Sequence, residues 1–301
     1  MIERRRVLSL AAAAVVGSGS CVRAQPSPRR SIPRVAGAAL PPIGMGTWLT
    51  FDVAANDLFE RTARKQVLER FFTAGGGMID SSPMYGRAER LVGELLAELP
   101  HAGKLYSATK VWTAFDRFGA GQLEDSLQLW RVKALDLVLV HNLLNWKAHL
   151  KLLRAAKEHG RVRAIGVSAS HGRDLGEVEK LIRNEPMDAI QISYNLADTS
   201  AERAMNAAAE RGLGVVINRP FDGGSLFGVV GRKPLPPWAA EFDAANWAQF
   251  FLKWVISHPA VTCAIPATSN PLHMEQNMAA GVGRLPGAAQ RARMSAYVAA
   301  M

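Results

Sequence analysis

The sequence predicts an α/β fold, a single-domain (β/α)8 barrel of the TIM type, and three observations carry that expectation. Short β-rich runs alternate with helical stretches from residue 43 to residue 280, the pattern of βαβ units around a parallel sheet. The runs number eight, the strand count of that barrel. The 301 residues also suit one α/β barrel unit. A doubly wound open sheet is the alternative, but no Gly-x-Gly-x-x-Gly follows the first strand, where such a fold more often carries its phosphate loop.

The elements follow in order. Strand candidates are Ile43–Trp48, Gly77–Asp80, Leu105–Lys110, Asp136–His141, Ala164–Ser168, Ala189–Asn195, Gly214–Arg219 and Thr262–Pro266. Helices are predicted over Arg64–Ala74, Arg87–Leu99, Gln122–Arg131, Ala148–His159, Asp174–Arg183, Ala201–Arg211, Ala244–Ser257 and Pro271–Ala280. Leu123, Leu127 and Trp130 fall four and three apart, which places them on one helical face. Gly160 and Gly212 stand where helix C-caps belong.

Composition is that of a globular chain, 49% hydrophobic and 21% charged, with no long polar tract. The formal charge is +10, but the basic residues are scattered rather than set in a stripe with aromatics between them. That argues against a nucleic-acid partner and is compatible with anionic small molecules.

The first 24 residues read as a signal peptide. Arg4, Arg5 and Arg6 form a positive region, no charge occurs from Val7 to Val22, and Val22-Arg23-Ala24 is a small-x-small cleavage site. The apolar run is shorter than the ~20 residues needed to span a bilayer. Arg4-Arg5-Arg6-Val7-Leu8 resembles a twin-arginine signal, which implies the export machinery as a partner and a periplasmic address. Cleavage after Ala24 removes four arginines and one glutamate, leaving +7, and takes Cys21 with it. Cys263 then has no partner for an internal disulfide. Residues 25–38 read as a Pro/Ser/Arg-rich linker, and residues 39–301 as the barrel, expected to be a monomer.

Barrel active sites form at the C-terminal ends of the strands, so the polar residues ending each strand are the candidates. The second strand ends in Asp80 with Tyr85 close behind, the third in Thr109-Lys110, the fourth in His141-Asn142 and the fifth in Ser168. The sixth carries Gln191, Tyr194 and Asn195. Asp, Tyr, Lys and His at one rim make a constellation, and no His/Cys/Asp/Glu grouping reads as a metal site.

Gly77–Gly93, GMIDSSPMYGRAERLVG, resembles the signature of the aldo-keto reductases. The resemblance continues in order through SATK, LVLVHN, AIGVSAS, QISYN and IPATSNPLHMEQN, covering about residues 40–280. It implies a nicotinamide-dependent enzyme that reduces aldehydes or ketones, with NADP, or NAD, as cofactor. Carbonyl reduction needs a hydride for carbon and a proton for oxygen. The implied roles are Tyr85 as general acid, Lys110 as the cation that lowers the phenol's pKa, Asp80 as partner of Lys110, and His141 as the group that orients the carbonyl. By the same resemblance Ser168 and Gln191 hold the carboxamide, and Gly46, Thr47 and Trp48 line the floor and mouth.

The chain departs from the family pattern at several cofactor positions. Ala169 stands where an Asn is usual, and Asn218, before Arg219, where an aromatic often stacks on the nicotinamide. Ala267 precedes Thr268 where many NADP-dependent members have Lys, and His273 stands where they have Arg. A 2′-phosphate is best held by Arg or Lys, so NADPH preference is expected to be weakened. Asn270 and Asn277 are the implied adenosine-end contacts. A cofactor-binding regulatory or redox-sensing barrel with little turnover is the alternative function. The expected substrate loops are Thr50–Leu58, Trp112–Phe118, Leu143–Lys147 and Asp222–Phe242. With Trp48, Phe51, Trp112, Phe115, Trp146, Phe221 and Trp238 they suggest an aromatic mouth.

Overall fold

The computed structural model describes residues 29–33, 35, 39–99 and 105–301. Eight parallel strands run in chain order around one sheet: β3 (Met45–Gly46), β4 (Met78–Asp80), β5 (Tyr106–Val111), β6 (Leu135–His141), β7 (Val162–Ser168), β8 (Ala189–Ser193), β9 (Gly214–Asn218) and β10 (Cys263–Ala264). Parallel bridges Ile43–Ala264 and Gly46–Ala267 join the last strand back to the first and close the barrel. The signal peptide expected over residues 1–24 lies outside the described residues.

Alternation along the strands divides the core in two. Leu137 and Leu139 point into the barrel with Met78, Ala108, Ala164, Ala189, Val216, Cys263 and Ile265. Val138 and Val140 point outward with Ile165, Val167, Ile190 and Ile192 against the helices. Register then decides which rim residues meet. His141 is level with Ser168, and Ser168 with Gln191, while Gly46 is level with Asp80.

Helices follow the strands as α1 (Leu58–Thr73), α2 (Ala88–Ala97), α3 (Asp116–Trp130), α4 (Trp146–Glu158), α5 (Leu175–Asn184) and α6 (Glu202–Glu210). After β9 come α7 (Ser225–Val230) and α8 (Trp247–Ile256), and after β10 come α9 (Pro271–Ala279) and α10 (Ala288–Ala299). Two begin six residues earlier than predicted. α1 starts at Leu58 because the Asp57 carboxylate accepts a 3.0 Å bond from the Glu60 N–H, an N-cap. α3 runs through Gly119, where a Cβ would lie 2.8 Å from His149 Nδ1 of α4. The glycine permits that close approach of the two helices. α10 was not anticipated; Arg291 fixes it by donating to the Tyr194 hydroxyl at 2.9 Å and lying 4.4 Å from the Trp254 ring centre.

The linker expected at residues 25–38 needs correction. β1 (Arg30–Ser31) pairs antiparallel with β2 (Ala39–Leu40), and Ile32 beside it is fully buried among the barrel-lining side chains. Arg30 donates to the carbonyls of His258 (2.8 Å) and Val261. Ile32 and Leu40 thus close the floor of the barrel, so the folded unit starts before residue 39. An apolar residue that plugs a barrel end gains by burial whatever the composition around it.

No helix among the described residues is long and apolar enough to cross a membrane.

Candidate active site

The strand ends converge on a buried ion pair. Lys110, at the end of β5, is wholly inaccessible, and its ammonium donates to Asp80 Oδ2 at 2.6 Å and to the Ser81 carbonyl at 2.7 Å. Gln191, from β8, donates to the other carboxylate oxygen of Asp80 at 2.7 Å. The β4–α2 turn is pinned by Thr47, whose hydroxyl donates to the Asp80 carbonyl at 3.0 Å and lies 2.9 Å from Ser81 Oγ. Farther down, Glu89 of α2 accepts from the Thr109 hydroxyl (2.6 Å) and the Trp130 indole (2.9 Å), which ties α2 to β5 and α3.

Above the ion pair stands Tyr85. Lys110 Nζ lies 4.9 Å from the centre of its ring, Trp48 packs against it at 4.8 Å between ring centres, and His141 stands edge-on at 6.0 Å. His141 Nδ1 is hydrogen-bonded to Ser168 Oγ at 2.7 Å, so Nε2 is the ring nitrogen left for a ligand. Burial, reinforced by the Lys110 charge, pushes the imidazole down to about 2, so it is neutral at physiological pH.

The charges of the pair follow from burial and proximity. Burial is the largest single effect on the Lys110 ammonium and lowers it, but Asp80 and Tyr85 together outweigh burial and the group is held above its ordinary range. Burial raises the Asp80 carboxyl against the opposing pull of Lys110. The phenol corrects an expectation. Lys110 does act to lower Tyr85, but burial is the larger effect and the phenol lies above its ordinary value. Tyr85 is therefore protonated at neutral pH, the form an acid needs before it acts.

Tyr85 and His141 face a cavity of about 840 Å³ at the C-terminal rim of the barrel, within the range of small-molecule and cofactor sites. Gly46, Thr47, Trp48, Asp80, Gln191, Asn218, Arg219, Ala267, Thr268, His273 and Asn277 all line it, as the resemblance implies. Three implied residues stand behind its wall. Lys110 acts from beneath, and the Ser168 hydroxyl is engaged by His141. Asn270 caps α9, its carboxamide oxygen accepting from the Leu272 N–H at 2.9 Å. Asn218 bridges the Ser193 hydroxyl (2.6 Å) and the Ala169 carbonyl (3.1 Å). It thereby braces the strand end that lacks the family's usual Asn.

The aromatic wall differs from the expected one. Phe51 is fully buried, Trp238 packs on Phe242, Phe250 and Tyr297, and Trp112, Phe115 and Trp146 lie outside the cavity. Trp48 and Phe221 of the expected set do line it, joined by Tyr85, Phe227 and Trp247. Sequence reasoning missed Ser170, His171 and Arg173 after β7, whereas Gly223 and Gly224 after β9 belong to the expected loop Asp222–Phe242. The signal of the missed three was position alone: they follow Ser168, a strand-end residue that the sequence singles out.

A model of the aldo/keto reductase family matches residues 42–289. The chain belongs to that family. It is accordingly a nicotinamide-dependent oxidoreductase that reduces carbonyl groups by hydride transfer. Methylglyoxal reductase YeaE of Escherichia coli is 28% identical over 247 residues, covering 80% of this chain and 85% of that protein. Among solved structures, an aldo-keto reductase of Bacillus halodurans in its holo form superposes with a TM-score of 0.73 at 16% identity, over 90% of this chain and 96% of that one. One of Klebsiella pneumoniae, in complex with NADP and acetate, gives 0.70 at 23% identity, over 87% and 92%.

The residues present fit a dinucleotide. The cavity is lined by Tyr85, the amides of Gln191 and Asn218, the guanidinium of Arg219, Thr268 just before α9 and Asn277 within it. Polar amides, a cation and a helix in one cavity wall are groups that suit a carboxamide, phosphates and a nucleoside.

Proposed function

We propose that Tyr85 is the general acid of an NADPH-linked reduction of aldehydes and ketones, with His141 orienting the carbonyl. The observation that carries this reading is the buried Lys110–Asp80 pair directly beneath Tyr85. When bound, the nicotinamide supplies the hydride. The chain's own residues handle the oxygen. The neutral His141, held by Ser168, donates from Nε2 to the substrate carbonyl oxygen and fixes its direction toward Tyr85. As alkoxide character develops, the phenol gives up its proton to that oxygen. The nascent phenolate lies over an ammonium that is already charged and immobile, so stabilising it costs little reorganisation. Asp80 and Gln191 keep that ammonium in place. Activity of a Tyr85→Phe variant is the direct test.

NADP(H) as cofactor rests on the Klebsiella pneumoniae relatives, which are complexed with NADP and NADPH, and on Arg219 in the cavity. Ala267 and His273 leave the expected phosphate cations absent, so modest discrimination between NADPH and NADH is the expected result. Ala267→Lys then raises it by roughly tenfold, about 1.4 kcal/mol for one charge-assisted contact. Dissociation constants for both nucleotides, measured by fluorescence quenching, check this; strong native discrimination counts against it.

We further infer export before action. Arg4-Arg5-Arg6, the uncharged run and Val22-Arg23-Ala24 support it. Replacing Arg4 and Arg5 by Lys is expected to leave the precursor in the cytoplasm with normal specific activity. Cell fractionation with N-terminal sequencing reads the outcome, and a wild-type chain that keeps Met1 in the cytosol overturns the inference.

A further inference from the structure

The cavity carries a cation that reduction of a neutral carbonyl does not use. Arg173 lines it from the β7–α5 loop together with Ser170 and His171. Its Nε donates to the Ser170 carbonyl at 3.2 Å, and one terminal nitrogen reaches Ser170 Oγ and His171 Nδ1, both at 3.4 Å. These are long contacts to neutral groups. No carboxylate lies within ion-pair distance of Arg173 among the described residues, whereas Arg219, which also lines the cavity, is paired with Asp222 at 3.0 Å. The acidic residue lining the cavity, Asp80, is itself held by Lys110. Arg173 is therefore the cavity-lining cation left without a carboxylate partner among the described residues.

Its position points to substrate rather than nucleotide. Ser170, which holds Arg173, donates to Asn142 Oδ1 at 3.1 Å, and Asn142 directly follows His141. The Arg173 charge is close enough to His141 to contribute to that residue's depressed proton affinity, and it acts on His171 in the same direction. A ligand whose carbonyl sits at His141 and Tyr85 thus has this guanidinium within reach of its far end. Trp48, Phe221, Phe227 and Trp247 line the same cavity and offer apolar surface to a flat, aromatic ligand.

We propose that the cavity selects carbonyl substrates that carry a carboxylate, with Arg173 as the residue that recognises the anion. This rests on the carbonyl-reductase reading and deepens it. A guanidinium offers a carboxylate two parallel N–H donors, which a neutral amide of the same shape cannot match. Its charge also draws anions in.

The test compares 4-formylbenzoate with its near-isostere 4-formylbenzamide, using NADPH. Wild type is expected to favour the acid by roughly tenfold in kcat/KM, and Arg173→Gln to abolish that preference by the same factor. The residue is exposed, so the substitution leaves the core untouched. The dissociation constant for NADPH is expected to stay within about twofold. Binding of terephthalate against terephthalamide, by titration calorimetry, tests the anion site without turnover. Selective, Arg173-dependent binding of the dianion with no reduction of either aldehyde sustains the site and overturns the reductase reading. Equal use of acid and amide by wild type overturns the proposal. So does weakening of NADPH binding in Arg173→Gln, since the guanidinium then serves the nucleotide's phosphates.

Discussion

Tyr85→Phe is expected to lower turnover of an aromatic aldehyde by at least ~10²-fold, about 2.7 kcal/mol, the scale of a general-acid contribution. The substitution removes one oxygen and keeps the ring, so the packing of Trp48 at 4.8 Å and the edge contact with His141 at 6.0 Å persist. Binding of NADPH is expected to change little, because the phenol faces the carbonyl. The loss therefore belongs in kcat, the signature of an interaction that strengthens only as the transition state forms. Steady-state kinetics with a fluorescence-measured nucleotide dissociation constant separate the two. Turnover within threefold of wild type removes Tyr85 from the role. His141 cannot replace it as acid, because burial keeps the imidazole neutral down to pH values near 2.

The parts of this architecture that were legible in the sequence share one physical cause. A parallel strand buried on both faces must be continuously apolar, so LVLV before His141 and MI before Asp80 announce both a strand and the place where burial stops. The polar residue at that place lies on the rim, and register brings His141, Ser168 and Gln191 level. Contacts made after the rim were not legible. Whether the Ser168 hydroxyl turns to a ligand or to His141 depends on a rotamer, which no spacing reports. Likewise Phe51 and Trp238 are loop aromatics like Phe221, yet they anchor their own segments while Phe221 lines the cavity. Ile32 shows the same limit at the other end of the barrel. Its neighbours Pro, Ser and Arg read as a linker, and only the closed barrel has a floor for it to fill.

The ion pair beneath the site yields the largest expected effect on stability. Asp80→Asn leaves the Lys110 ammonium fully buried with the Ser81 carbonyl, at 2.7 Å, and a neutral amide for company. Removing one partner of a buried pair typically costs about 3–5 kcal/mol, because the remaining charge has lost its compensation and has no water to replace it. Lys110→Met exposes the converse problem. The Asp80 carboxyl, already pushed upward by burial, loses its cation and is expected to take up a proton at neutral pH, with Gln191 still donating to it. That protonation relieves the charge, so Lys110→Met is expected to be the milder of the two in stability. The double variant, Asp80→Asn with Lys110→Met, has no buried charge left and is expected to be more stable than Asp80→Asn alone. Urea unfolding of the three variants closes the cycle, with strong non-additivity as the expected result. Turnover follows a different order. The two variants that carry Lys110→Met have no ammonium beneath Tyr85, whereas Asp80→Asn keeps one without its carboxylate partner, so the double variant is expected to recover stability without recovering activity. If Asp80→Asn unfolds within about 1 kcal/mol of wild type, water or another carboxylate reaches Lys110, and the pair does not isolate the charge that the phenolate needs.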